Sequence, residues 1–239
     1  MLIIDVDSGP FIPGIGSSVA GGKQVRFGNA EDLEAALQTH GSEIAAFMIE
    51  TVEGNAGTVV PPDGYLTAVR QLCSKYNVLF IADEIQCGFG RTGYFMAYDC
   101  EGVKPDIVVL GKSLTGGACP MGLTLGSREA MGLFKPGQFN STFAGNPLAS
   151  ACAIAAVDVI IDEKLTERAF RLGPKTSSYS KTMGGPANAE GYMSQQYGDR
   201  IRVAPALTIE EVDLWQAVDE IERALDDISS IEEEIVGHP

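Results

Sequence analysis

Three short apolar runs that do not alternate with polar residues, each closed by a charged one, constrain this 239-residue chain more than any other feature. Ala45–Ile49 ends at Glu50. Val78–Ala82 ends at Asp83-Glu84. Ile107–Leu110 leads through Gly111 to Lys112. Unbroken apolar strands suit a parallel sheet covered on both faces. Segments of helical spacing lie between and after them. Asn29 is placed to cap a helix over Glu31–Gln38, with Leu33, Ala36 and Leu37 on one face. Tyr65–Tyr76 carries Leu66, Val69 and Leu72, and Pro147–Ile161 is rich in Ala, Val and Ile. Leu123–Leu125 is a fourth strand candidate. Strands alternating with helices give an α/β layered fold.

The rest of the chain is weakly patterned. Residues 1–29 are Gly-rich, and Gly9–Gly14 reads as a turn. Thr51–Asp63 reads as a loop. Composition changes at Gly173, and residues 174–200 read as a loop or a join. Ile201–Val203 is a short strand candidate. Thr208 and Glu211 match a capping box, opening a helix to about Ile228 with Val212, Trp215, Val218 and Ile221 on one stripe. The reading divides the chain into residues 1–172, a large domain, and 173–239, a shortened C-terminal one.

Charge and cysteine content exclude several classes. A net charge of −15 repels nucleic acid and anionic membranes. No apolar run approaches the roughly 20 residues that a spanning helix needs. The five cysteines form no CxxC pair and lie far from both histidines, which argues for reduced thiols and against a metal site. Met1–Asp7 carries no basic leader and reads as no targeting segment. The expected location is the cytoplasm, with the mitochondrion as the open alternative.

In a parallel α/β sheet, ligands bind beyond the carboxyl ends of the strands, where Glu50, Asp83 and Lys112 stand. A lysine amine beside a carboxylate suits a pyridine-aldehyde cofactor: the amine bonds to the aldehyde and the carboxylate pairs with the ring nitrogen. The plainer reading of each residue, a helix cap for Asp83 and a solvated strand-end lysine for Lys112, stays open on pattern alone. A nucleotide-binding α/β protein would need a glycine fingerprint directly after a strand, and none follows.

Four motifs narrow this choice. Ala82-Asp83-Glu84-Ile85-Gln86, Gly88-Phe89-Gly90-Arg91-Thr92-Gly93, Lys104 to Gly117 and Ser141-Thr142-Phe143-Ala144-Gly145-Asn146-Pro147 follow one another in order. Together they resemble the class III (subgroup II) aminotransferases of the ornithine aminotransferase type, from about Gly9 to Leu225. The resemblance implies fold type I of the pyridoxal-phosphate (PLP) transferases: a large domain with a mostly parallel, incomplete sheet, plus a remnant of a small α+β domain. It implies transfer of an amino group from ornithine, or a similar diamine or ω-amino acid, to 2-oxoglutarate. The alternative is a non-catalytic relative that pairs with a full-length aminotransferase.

Site roles follow from the same resemblance. Lys112 would carry the cofactor and move protons, Asp83 would bind the ring nitrogen, Ile85 would pack on a ring face and Gln86 would bind the ring hydroxyl edge. Ser141 and Thr142 match the segment that reaches the cofactor phosphate of a neighbouring subunit, which implies a homodimer; a helix cap is the other reading of Thr142. Arg202 matches the substrate-carboxylate arginine, suited by its planar fork. Glu50 and Arg91 are supporting residues. Asn55 stands where the family has a glutamate that pairs with this arginine, and it cannot form that ion pair. Thr51 replaces a usual proline, which predicts a looser turn, and Cys87 replaces a frequent threonine. No phosphate-cradling turn or ring-stacking aromatic is recognised before Gly9, and a second gap is expected near Gly173–Gln196. A sheet short of two strands predicts an exposed edge and marginal stability of the lone chain.

Overall fold

The structure, a computed structural model, describes residues 2–5, 25–54, 58–138, 141–182 and 203–236. One sheet holds the strands in chain order: β1 (Leu2–Asp5), β2 (Ala46–Glu50), β3 (Leu79–Asp83), β4 (Ile107–Leu110) and β5 (Leu123–Gly126). β1 to β4 run parallel, and β5 lies antiparallel to β4. The helices are α1 (Ala30–His40), α2 (Tyr65–Lys75), α3 (Arg128–Met131), α4 (Pro147–Asp162), α5 (Leu165–Thr182) and α6 (Glu211–Val236). The α/β class and mostly parallel sheet are as expected.

β2, β3 and β4 form where the apolar runs lie, but they are not sealed equally on both sides. Paired residues share a face, and alternate residues change face. Phe47, Ile49, Phe80, Ala82, Val108 and Leu110 are buried on one face. On the other, Met48, Glu50, Leu79, Ile81, Asp83, Ile107 and Val109 are only half-buried. The sealed face belongs to a core with Leu33 and Leu37 of α1 and Leu66, Val69 and Cys73 of α2. A second apolar cluster joins Val108, Leu110 and Leu114 to Ala153 and Ile160 of α4 and to Phe89.

Local chemistry sets the helix starts. The Asn29 side chain accepts from the Asp32 N–H at 2.9 Å and caps α1. The Asn146 side chain accepts from the Ala149 N–H at 3.1 Å, and Pro147 fills the first position of α4, where its missing N–H costs no hydrogen bond. Glu101, distant in sequence, accepts from the N–H groups of Gly64 and Thr67 at the start of α2.

Several expectations change. Leu2–Asp5 is a strand paired with β2, so an edge expected to be open is partly covered. Three apolar residues and an aspartate carry no periodicity to reveal this. α5 runs through Gly173-Pro174 to Thr182, where a loop was expected; the boundary at 172/173 falls inside it. α6 begins at Glu211, and the Glu210 carbonyl accepts from the Leu214 N–H, so Thr208 lies before the cap. Its buried residues are Leu214 and Val218, whereas Val212 is 71% exposed. Ile201 and Arg202 lie outside the described residues, and Val203 is not in a strand. Among the described residues no helix is long and apolar enough to cross a membrane, and no group of His, Cys, Asp or Glu is placed to hold a metal ion.

α4 is apolar beyond the face it buries. Leu148, Ile154 and Ile161 are exposed on it, as are Leu133, Phe134 and Phe143 in the segment before it. Patches of this kind mark a surface that meets another apolar surface.

Candidate active site

The half-buried face of the sheet carries the candidate site at its carboxyl edge. Asp83 ends β3, in register with Glu50 of β2 and Val109 of β4. Its Oδ1 accepts from the Ile85 N–H at 3.0 Å, which fixes the carboxylate against its own turn. Burial pushes its pKa up, opposed by that N–H and by the positive charge of Lys112. The Lys112 Nζ donates to Gln86 Oε1. Lys112 has φ +42, a left-handed conformation that a side chain rarely takes, at the point where the chain leaves β4 for a 3-10 turn. Such strained residues are held in place by their surroundings and cluster at functional sites.

Close backbone approach completes this patch. A Cβ on Gly111 would lie 3.4 Å from Ile85 Cγ2, so Ile85 packs directly over the residue before Lys112. A Cβ on Gly54 would lie 2.7 Å from Gln86 Cγ and 3.3 Å from Glu50 Oε2. The Gly54 N–H donates to Glu50 Oε2 at 2.9 Å, so Glu50, Gly54 and Gln86 form one packed unit. The structure thus brings together Glu50, Asp83, Ile85, Gln86 and Lys112.

Beneath this patch lies a carboxylate that the sequence did not single out. Glu84 is fully buried. It accepts from Thr51 Oγ1 at 2.7 Å, the Ala97 N–H at 2.9 Å, the Tyr98 N–H at 3.1 Å and Cys87 Sγ at 3.5 Å. Burial raises its pKa, and these donors pull it back. Thr51 is itself buried and ties the end of β2 to Glu84, so the turn expected to be loosened is held. Gly88 closes the same unit: its N–H donates to the Glu84 carbonyl at 3.0 Å, and a Cβ there would lie 2.8 Å from that oxygen.

Other candidates lie elsewhere. Ser141 and Thr142 are exposed in the turn before α4. Asn146, not Thr142, caps that helix, so the capping role for Thr142 is excluded. Among the described residues neither makes a hydrogen bond to the Asp83–Lys112 patch. A shallow cleft of about 560 Å³ opens beside them, lined by Cys119, Pro120, Met121, Gly122, Phe143 and Asn146, and it includes neither Asp83 nor Lys112. Arg91 donates to the Pro205 carbonyl at 2.5 Å. Asn55 and Arg202 lie outside the described residues.

Known proteins resemble this chain in sequence and in fold. A family model described as class-III aminotransferase matches residues 21–181. Ornithine aminotransferase car2 of Schizosaccharomyces pombe is 39% identical over 258 residues, covering 94% of this chain and 59% of its own. The mitochondrial ornithine aminotransferase of Arabidopsis thaliana is 51% identical over 160 residues, 67% of this chain and 34% of its own. Among solved structures, acetylornithine aminotransferase from Elizabethkingia anophelis superposes with a TM-score of 0.80 at 35% identity, covering 93% of this chain and 64% of that one. The ornithine aminotransferase of Toxoplasma gondii gives 0.79 at 33%, covering 95% and 59%. The chain therefore spans between 34% and 59% of the length of these two curated relatives. The yeast alignment, at 258 positions, is longer than this 239-residue chain, so that relative has residues inside the matched region that this chain lacks.

Proposed function

The chain belongs to the class-III aminotransferase family, and from that premise we propose that it moves the amino group of ornithine, or of a similar diamine or ω-amino acid, to 2-oxoglutarate, using the family's cofactor, pyridoxal 5'-phosphate. One observation carries the reading: a half-buried carboxylate, Asp83, stands at the end of one strand close enough to Lys112, after the end of the adjacent strand, for the lysine charge to act on it, and Gln86 accepts from that amine.

These residues fit that cofactor. Only one oxygen of Asp83 is committed to the Ile85 N–H among the bonds described, and burial makes its carboxylate favour a cationic partner. Asp83 would hold the ring nitrogen in its protonated form. When bound, the cofactor supplies an electron-withdrawing ring that stabilises negative charge at the substrate carbon bearing the transferred amine. Lys112 Nζ would anchor the cofactor aldehyde and, once the donor amine has displaced it, would take a proton from the substrate carbon that bears that amine and deliver it to the former aldehyde carbon. Ile85, packed over Gly111, would cover a ring face, and Gln86 would bind the hydroxyl edge. Glu50 would hold the Gly54 turn against Gln86. Arg202 would bind the substrate α-carboxylate, free of the glutamate that Asn55 replaces.

The proposal includes the division into a cofactor-binding region, residues 1–172, and a shortened small domain, 173–239, with α5 crossing the join. It also includes a homodimer in the cytoplasm. The uncovered apolar surface of α4 and Phe143 supports self-association, because the exposed Ser141-Thr142 turn lies in the same surface and would be carried to a partner's cofactor phosphate. The test is to add PLP to purified protein, record visible absorbance, reduce with borohydride and map the labelled peptide. Label on Lys112, and its loss in Lys112→Ala, supports the reading; label on another lysine refutes it. Absorbance that appears only with an added full-length aminotransferase selects the non-catalytic pairing role. Turnover with 2-oxoglutarate and a panel of ω-amino donors then fixes the donor.

A further inference from the structure

The segment that leaves Lys112 runs back along α4. Lys112–Thr115 is the 3-10 turn after β4, and a Cβ on the next residue, Gly116, would lie 3.4 Å from Ala156 Cβ. Met121 packs against the apolar cluster that holds Ala153. Cys119 shares the shallow cleft with Asn146, the cap of α4. Cys119 therefore lies between the contact at Ala156 and the start of the helix. Cys152 stands one turn before Ala156, and so on the same side of α4. Desolvation first, and then a hydrogen bond with the Cys119 thiol and its charge, raise the Cys152 pKa above its ordinary 9.0. The two thiols are thus neighbours across this packed seam.

The pair differs from the other three cysteines. Cys73 and Cys87 are buried, and Cys100 is exposed on the 3-10 turn Ala97–Glu101. Cys119 and Cys152 are half-buried, and the cleft opens beside Cys119, where a small reagent can reach it. The Cys119 main chain is also tied to the turn that carries Lys112. The hydroxyl of buried Thr115 donates to the Cys119 carbonyl and accepts from the Cys119 N–H at 3.4 Å. A restraint placed on Cys119 is therefore passed to the residues that follow Lys112.

We infer that Cys119 and Cys152 form a reversible disulfide under oxidation, and that this bond holds the segment leaving Lys112 against α4. The inference goes beyond the aminotransferase reading and does not depend on it. The oxidant is a small disulfide, RSSR. The Cys119 sulfur attacks one sulfur of RSSR, the S–S bond breaks, and one RSH leaves with the Cys119 proton. The Cys152 sulfur then attacks the Cys119 sulfur, and the second RSH leaves with the Cys152 proton. Two protein thiols are oxidised to one disulfide while RSSR is reduced to two thiols. The bond closes a loop over residues 119–152, which contains the Ser141-Thr142 turn. In reducing surroundings the exchange runs backward and frees the segment.

The test uses the whole chain, fully reduced and then incubated with glutathione disulfide. Peptide mapping without reductant reads the bond, and hydrogen exchange of the amides of residues 116–122 reads the restraint. The expected result is a linked Cys119–Cys152 peptide from within one chain, a separate glutathione adduct on Cys100, and unmodified Cys73 and Cys87. Exchange over 116–122 should slow at least about threefold, and dithiothreitol should restore both the free thiols and the faster exchange. Cys152→Ser should leave a glutathione adduct on Cys119 and exchange like that of the reduced parent, with a thermal melt to show that the variant folds; if it does not fold, the parent protein alone decides. Separate adducts on Cys119 and Cys152, a bond between two chains, a bond from either residue to another cysteine, or no modification of the two would overturn the inference. A Cys119–Cys152 bond that leaves exchange over 116–122 unchanged would overturn the hold on the segment leaving Lys112.

Discussion

Replacing Thr51 by Val tests whether the buried Glu84 carboxylate is what holds the candidate site in shape. The two side chains have the same outline, so the change removes a hydroxyl and leaves little cavity. That hydroxyl donates to Glu84 Oε1 at 2.7 Å, the shortest of the bonds that reach this carboxylate. Glu84 has no contact with solvent, so water cannot replace it. Losing a donor to a buried charged acceptor costs about 1.5–3 kcal/mol. Cys87 Sγ lies 3.0 Å from Thr51 Oγ1 and 3.5 Å from Glu84 Oε2, so its thiol offsets part of the loss and places the expectation in the lower half of that range. For a chain of this size, that is a fall in Tm of roughly 3–8 °C. The deficit also depends on pH. Burial raises the Glu84 pKa above its ordinary 4.5, and the Thr51 bond lowers it. A raised carboxyl gives stability that is complete below its unfolded value and lost as pH rises through the folded one. Removing the donor raises the folded value further, so Thr51→Val should lose more against the parent at neutral pH than in acid. Thermal melts followed by circular dichroism at both pH values measure this. A Tm within about 1 °C of the parent, or the same deficit in acid and at neutrality, would show that the hydroxyl does not support the carboxylate.

Two further predictions concern packing and alkaline stability. Gly93→Ala forces a Cβ to within 2.7 Å of Phe170 Cα at φ +84, and should cost about 2–4 kcal/mol in urea unfolding. Gly102→Ala is its control, with φ +62 and open space around the Cβ position, and should cost only about 1 kcal/mol. Burial pushes the Cys73 thiol up from 9.0 to about 12. The folded state keeps that proton while the unfolded chain releases it, so stability is complete below pH 9.0 and lost as pH rises toward 12. Cys73→Ala should therefore lose stability less steeply with pH over that window, by up to about 1.4 kcal/mol per pH unit, as read from urea midpoints.

The parts of this fold that were legible in sequence are those where one local signal suffices. β2, β3 and β4 announced themselves as apolar runs, and Asn29 and Pro147 marked helix starts through capping chemistry. β1 had only three apolar residues and no neighbouring pattern. The last turns of α5 are polar, so no apolar stripe could reveal them, and Gly173-Pro174 reads as a break. At α6, Thr208 and Glu211 matched a capping box by spacing, but the first hydrogen-bonded turn starts from Glu210. In the site, Asp83 and Lys112 were visible because strand ends are where charged residues meet a ligand. Glu84 was not, because a glutamate in a turn is usually solvated, and only the converging donors of Thr51, Ala97 and Tyr98 make its burial tolerable. Gly54 and Gly111 were not, because the need to omit a Cβ comes from Gln86 and Ile85 arriving from elsewhere.

Thr51 and Cys87 illustrate why departures from a family pattern are poorly judged one at a time. Thr51 looked like a loss, a turn without its proline, whereas Cys87 in place of a frequent threonine implied no chemistry. In the structure they face each other at 3.0 Å across the same carboxylate, and the hydroxyl absent at position 87 is present at 51. Both reach Glu84, Thr51 from the end of β2 and Cys87 from the turn after β3. The main-chain carbonyl of Glu84 roots the loop through Gly88, and the residue before it, Asp83, is the one turned toward the half-buried face. Asp83 and Lys112 therefore rest on groups supplied by β2, β3, β4 and the turns that follow them. What this chain does not bring to them is the Ser141-Thr142 turn, which sits exposed beside the uncovered apolar residues of α4. The proposed homodimer, in which one chain fixes the carboxylate and amine and a second chain's turn covers them, would account for both the packed half of the site and the exposed half.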